Sequence, residues 1–307
     1  MRALLSSLLS VALASTTAVP AFADDDFAAE LAQWQAQRVA SLTREDGWAA
    51  LVALHWLDDR RATGIGSDPE AGLRLDNLAP NWGRVEHEAG GWRLHLADPD
   101  GVEIDGAAAS AAPVALVSDL EAGRRQVPAT RVVAGSVRMA LIERGGRYAL
   151  RVWDAQAPAR VRFAGLAHFP ADPSWRIEAT WIAHEPARSI DIATVINTVE
   201  PSANPGAVEF ERDGRRHRLE VLAEPGAEHL FLIFADRSNG RATYGAGRYL
   251  YADRPDADGR VMLDFNRAYN PPCAFTAHAT CQLPPPENRL DLAVEAGELR
   301  YRGPAGK

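Results

Sequence analysis

The residues best able to do chemistry in this chain lie together near its C-terminal end. Asp264-Phe265-Asn266-Arg267-Ala268-Tyr269-Asn270 is followed by Pro271-Pro272-Cys273, by Cys281, and by Pro284-Pro285-Pro286 running to Asn288 and Arg289. If Val261, Leu263 and Phe265 face one side of a strand, Asp264 and Asn266 share the other. Arg267, Tyr269 and Asn270 then extend this polar set. Arginines beside aromatic rings suit a carboxylate, phosphate or sugar, through bidentate and stacking contacts. Upstream, Arg151 and Arg248 lie on their own strand patterns and reach the same cavity if those strands share a face. The expected ligand-binding set is therefore Arg151, Arg248, Asp264, Asn266, Arg267, Tyr269 and Asn270. An enzymatic alternative uses the same residues without a metal, as a hydrolase or lyase. Asp264 is its general base, Arg267 or Arg248 stabilises developing negative charge, and Tyr269 donates a proton. In a third reading the loop is only a structural clamp of an envelope protein.

The two cysteines, Cys273 and Cys281, are the only ones present. In an exported chain a disulfide between them is the expectation, and it would hold the proline-rich arm in one conformation. A free nucleophilic thiol or half of a metal site are the other readings. The sequence has no G-x-S-x-G elbow, no H-E-x-x-H, no phosphate-binding loop and no dinucleotide fingerprint. Gly245-Ala246-Gly247 is too short for the last and reads as a bulge or a close backbone approach. The eight histidines are scattered singly, so neither a metal nor a cofactor is expected.

These residues need a scaffold, and the sequence describes a mainly β one. Asp24 to Leu57 reads as two helices, Phe27, Leu31, Trp34 and Val39 giving the first its apolar stripe. Thr43 is the expected N-cap of the second, which carries Trp48 to Leu54. Beyond Arg60 short alternating runs are broken by glycine. Trp82–Glu88 and Gly91–Leu96 flank Ala89-Gly90, and Val137–Glu143 and Arg147–Trp153 flank Arg144-Gly145-Gly146. Asp213-Gly214 between Val208–Arg212 and Arg215–Val221 is the strongest hairpin signal. Leu230–Phe234, Thr243–Tyr251 and Val261–Phe265 complete the pattern. The expectation is an antiparallel barrel or sandwich with two N-terminal helices and an irregular Pro/Cys-rich C-terminal segment. Residues 24–60 form the helical segment and pack as one unit with a β-rich domain over 61–307.

Arg2, the apolar run Ala3–Val19 and Ala21-Phe22-Ala23 have the layout of a secretory leader cleaved after Ala23, which predicts a periplasmic or extracellular protein. No later segment reaches the roughly 20 apolar residues of a membrane span. The formal net charge is −8, a poor match to nucleic acid, which wants a basic surface. The expected partner is a small polar or anionic molecule. Lys307 is the only lysine among 33 basic residues, a bias that fits a GC-rich genome.

Thr243-Tyr244-Gly245-Ala246-Gly247-Arg248-Tyr249-Leu250, the run Asp264–Thr276, Thr280-Cys281, Pro284–Leu290 and Glu295-Ala296-Gly297-Glu298 together resemble the bacterial and archaeal domain-of-unknown-function family 1684. The resemblance extends from Gly47-Trp48 through Arg151 to Glu298, with departures at Ala277, His278 and Gln282. It implies a shared site at the C-terminal motif and carries no assigned reaction.

Overall fold

A computed structural model describes residues 22–304 of the chain. The leader expected over residues 1–23 lies almost wholly outside the described residues. Strand accounts for 42% of the chain and helix for 15%, so the fold is mainly β, arranged as several sheets that include a half-barrel.

Among the described residues there is one N-terminal helix, Phe22–Leu42, instead of the expected pair. Of its expected apolar stripe, Phe27 and Leu31 are buried and Trp34 and Val39 partly so, and Leu42 at its end is also buried. Thr43 closes this helix instead of opening another, because its hydroxyl donates to the Val39 carbonyl at 2.9 Å. The chain then folds back under the helix end. A Cβ at Gly47 would lie 2.4 Å from the Leu42 carbonyl oxygen, so only glycine fits. A single turn at Trp48–Ala50 leads into the strand Leu51–Trp56, where a second helix was expected. Short apolar runs are ambiguous between the two states, and here cross-strand pairing to Ala149–Trp153 decides the outcome. Two short helices, Asp119–Arg125 and Pro158–Val161, occur further on.

The strands gather around two main apolar cores. In the first half, a six-stranded sheet runs Leu51–Trp56, Arg147–Asp154, Val137–Arg144, Arg131–Ala134, Val102–Ile104, Ala107–Ala108. A five-stranded sheet centred on the hairpin Gly83–Glu88/Gly91–Leu96 completes this half. Ile65, Val85, Trp92 and Leu94 from the second sheet meet Val132, Met139, Leu141, Leu150 and Val152 from the first. The stretch Asp98–Gly106 lies within this half and supplies Val102 to its core.

In the second half, a four-stranded sheet runs Arg215–Val221, Val199–Arg212, Arg176–Ala193, Arg260–Asp264. A two-stranded ribbon, His229–Phe234 with Arg248–Asp253, packs against it. The Asp213-Gly214 hairpin forms as expected, both residues taking positive φ (53° and 69°) as a type I′ turn demands. Leu290, Leu292, Val294 and Ala296 of the C-terminal arm close this core. Thr276 on the proline-rich loop reaches back to the first half, its buried hydroxyl donating to the Leu51 carbonyl at 2.9 Å.

Candidate functional site

The expected ligand-binding residues divide among three environments. Arg248 is wholly buried. One terminal nitrogen pairs with Asp236 at 2.7 Å and donates to the Val294 carbonyl at 2.8 Å, while the other donates to Ala296. Burial pushes its guanidinium below the usual arginine range, and Asp236 opposes that shift. Arg248 therefore ties the ribbon to the C-terminal arm and lines neither of the two clefts described below. Gly247 beside it has φ +97°, and a Cβ there would lie 2.5 Å from the Pro284 ring. That is the close approach expected of the Gly-Ala-Gly run.

Asn266 and Asn270 are also interior. The strand ends at Asp264, whose Oδ1 accepts from the Asn266 backbone N–H at 3.1 Å and turns the chain inward. Asn266 consequently does not share the open face with Asp264. Its amide exchanges hydrogen bonds with the Asp172 backbone, both at 3.0 Å. Asn270 donates its backbone N–H to buried Glu298 at 2.8 Å and its side-chain N–H to Leu299 at 2.8 Å. Arg38 of the N-terminal helix completes this junction, pairing with Glu298 at 3.0 Å and donating to the Asn270 carbonyl at 2.9 Å.

Asp264, Arg267 and Tyr269 are brought together as predicted, in a cleft of about 410 Å³ between the N-terminal helix and the second-half sheets. Trp34, Arg176, His229, Tyr251 and Met262 join them there. The charged side chains of this cleft face opposite charges, although the Arg267 Nε makes no hydrogen bond. Asp264 faces Arg267 at 3.4 Å and Arg176 at 3.8 Å, Arg267 also reaches Glu30 at 3.8 Å, and His229 pairs with Asp253 at 3.2 Å. Burial pushes the Tyr269 hydroxyl well above the usual tyrosine range, and Tyr251 adds to the shift.

Arg151 lies elsewhere. It lines a larger cleft, about 580 Å³, formed where the first-half sheet meets the proline-rich loop. Arg144 and Arg151 come from the first half, and Pro272, Ala279–Gln282, Tyr249 and Glu200 from the second. Arg151 stacks over the Trp48 ring at 5.3 Å and makes one long contact to the Thr280 hydroxyl, 3.4 Å. Its Nε is buried without a partner, and among the described residues no carboxylate pairs with it. Burial, reinforced by neighbouring Arg144, lowers its pKa to about 10, still fully charged at neutral pH. Arg144, in contrast, is held by Asp119 at 2.7 Å.

Cys273 and Cys281 form the expected disulfide, with Cα atoms 6.2 Å apart. The free-thiol and metal readings of this pair are thereby excluded. The cross-link holds the wall of the Arg151 cleft, since Cys281 lines it and its carbonyl accepts from Val195 at 2.9 Å. Tyr249 fixes the next residue, its hydroxyl donating to the Gln282 carbonyl at 2.8 Å.

Among the described residues, one group could hold a metal: Glu86, Glu88 and His95, with ligand atoms within 4.8 Å of one another. Arg84 and Arg93 pair with these two glutamates at 3.0 and 3.2 Å, so the group is a charge ladder on one hairpin face. Trp48, Glu200, Thr280, Arg176 and Trp34 were not anticipated as lining residues. Trp48 and Trp34 had been read as helix residues and Thr280 as part of the family motif, while Glu200 and Arg176 carry no local pattern marking them.

The chain belongs to the family described as a protein of unknown function, DUF1684, whose model matches residues 161–299. The match spans the second half and begins downstream of Arg151. An uncharacterised protein of Haloarcula marismortui, solved by solution NMR, is 37% identical over 45% of this chain and 77% of that one, with a TM-score of 0.38. No curated protein matches the sequence. No described helix is long and apolar enough to cross a membrane.

Proposed function

We propose that the chain binds a small anionic molecule, a carboxylate or phosphate, in the cleft at Arg151. The observation that carries this reading is a guanidinium with no carboxylate partner among the described residues, one buried N–H left without an acceptor, and a cleft of about 580 Å³ beside it. Burying a charge without a partner costs stability. An incoming anion supplies the acceptors, and the planar fork of arginine favours a bidentate carboxylate or phosphate. Trp48 under the guanidinium and Thr280 across the cleft orient that fork.

The Asp264–Asn270 motif was expected to supply the pocket. In this reading its asparagines and Arg248 hold the fold, while the anion site sits behind the neighbouring loop. The hydrolase or lyase alternative has weaker support. Asp264 Oδ1 is already occupied by both the backbone and side-chain N–H of Asn266, at 3.1 and 3.0 Å. Tyr269, with its hydroxyl pushed up, is a poorer proton donor at neutral pH than an ordinary tyrosine. A purely structural envelope protein would leave Arg151 without a role. Export to the periplasm or medium belongs to the same proposal, supported by the leader pattern and by a disulfide of the kind that persists in oxidising compartments.

Thermal unfolding of the chain with inorganic phosphate, sulfate, succinate and citrate tests the reading. A ligand present at about 100 times its dissociation constant stabilises by roughly 2.7 kcal/mol. Arg151→Gln is expected to abolish that shift while remaining folded. If no anion shifts the wild-type transition, or the variant keeps the shift, the assignment fails.

A further inference from the structure

The charged groups of the Asp264 cleft face opposite charges, and the Nε of Arg267 keeps one N–H without an acceptor, which determines what the cleft can take. Its lining arginines, Arg176 and Arg267, both face Asp264, and His229 is paired with Asp253. An anion or a cation entering here would have to break an existing pair. A ligand rich in hydroxyl groups would not, because a hydroxyl both donates to a carboxylate and accepts from a guanidinium.

The walls add a second property. Tyr251 is 55% exposed, far more than an aromatic ring needs to be in a folded chain. Its ring is braced by Tyr269, near-parallel at 6.1 Å and 17°, and by Phe231, tilted at 4.9 Å and 30°. Tyr269 is in turn backed by the Arg38 guanidinium at 4.5 Å. Trp34, on the N-terminal helix, lines the same cleft. Met262 beside it is exposed at 44%. A rigid, solvent-facing tyrosine beside alternating donors and acceptors matches a sugar ring, whose C–H face is apolar and whose edge is hydroxylated.

We infer that this cleft is a second binding site, for a neutral saccharide stacked on Tyr251 and hydrogen-bonded by Asp264, Arg176 and Arg267. The site is independent of the anion cleft and shares no lining residue with it.

The test is calorimetric titration of the folded chain with glucose, N-acetylglucosamine, cellohexaose and chitohexaose, with amide chemical-shift mapping at millimolar sugar. At least one of the four is expected to bind and to move the amides of His229, Tyr251 and Met262. Tyr251→Ala, at an exposed position and so expected to fold, should weaken that binding about ten-fold. Arg151→Gln should leave it unchanged. The proposal is overturned if none of the four binds, if shifts map outside this cleft, or if Tyr251→Ala binds as well as wild type. It is equally overturned if the sugars are silent and sedimentation shows a dimer that Tyr251→Ala dissociates, for the exposed ring would then be an interface between copies of the chain.

Discussion

Arg248 and Arg151 are the same residue type, both on β-strands and both drawn out of water, yet they do opposite things. Arg248 is enclosed with Asp236 and two carbonyl acceptors from the C-terminal arm. Arg151 is enclosed with a tryptophan face, a distant hydroxyl and an open cleft. On the proposed reading, what separates a structural arginine from a binding one is whether the fold delivers an anion to it. Both arginines keep a buried Nε without an acceptor, but Arg248 has a carboxylate partner in Asp236, whereas Arg151, at the junction of the two halves, has none among the described residues.

The largest effect is expected at Arg248. Arg248→Met should cost about 3–5 kcal/mol in urea unfolding, because it strands a buried Asp236 carboxylate. A loss below about 1 kcal/mol would mean that Arg248 is not the tie described. Next comes the cross-link. Replacing Cys273 and Cys281 by serine should cost roughly 2–3 kcal/mol on the loop-entropy account. It should also weaken anion binding at Arg151, because Thr280 and Cys281 lose their fixed position. Unchanged anion affinity in that variant would separate the loop from the site.

Arg151→Gln should shift stability by no more than about 1 kcal/mol in either direction, since no native ion pair is lost. A large loss would make Arg151 another Arg248. The smallest expected effect concerns His168, which also keeps a buried ring nitrogen without a partner. Burial pulls its pKa below the ordinary 6.5, against the attraction of Glu298. The unfolded chain then binds this proton more readily than the native one, so stability is highest above pH 6.5 and falls as the pH drops through 6.5 toward the folded value. His168→Gln should flatten that slope in denaturant titrations across pH 5–7.

Much of this was legible in the sequence, for physical reasons that can be named. Period-two alternation with a Gly or Asp-Gly turn identified the hairpins at 137–154 and 208–221, because both the pattern and the turn are local. The burial of Val261, Leu263 and Phe265 followed from the same rule. The strand Arg176–Ala193 escaped notice, since Glu178, Glu185, Pro186 and Arg188 interrupt its apolar pattern and it pairs irregularly between Ala183 and Arg188. Leu51–Trp56 was read as helix because six apolar-rich residues cannot declare a period on their own. At the site, local spacing correctly grouped Asp264, Arg267 and Tyr269. It failed at Asn266, where one backbone hydrogen bond turned the side chain inward. It failed again for Arg151 and Arg248, whose partners come from segments distant in sequence.

The family match covers residues 161–299, so the loop, the disulfide, Glu200 and Tyr249 fall inside it, whereas Arg144 and Arg151 do not. The proposed anion cleft thus joins a floor inside the segment that the family model matches and a roof that this chain supplies from its first half. A relative keeping the same floor under a different roof would keep the cross-linked shelf and exchange the arginine for whatever its own roof presents. Under the proposed reading, ligand preference would then be set outside the segment by which the family is recognised.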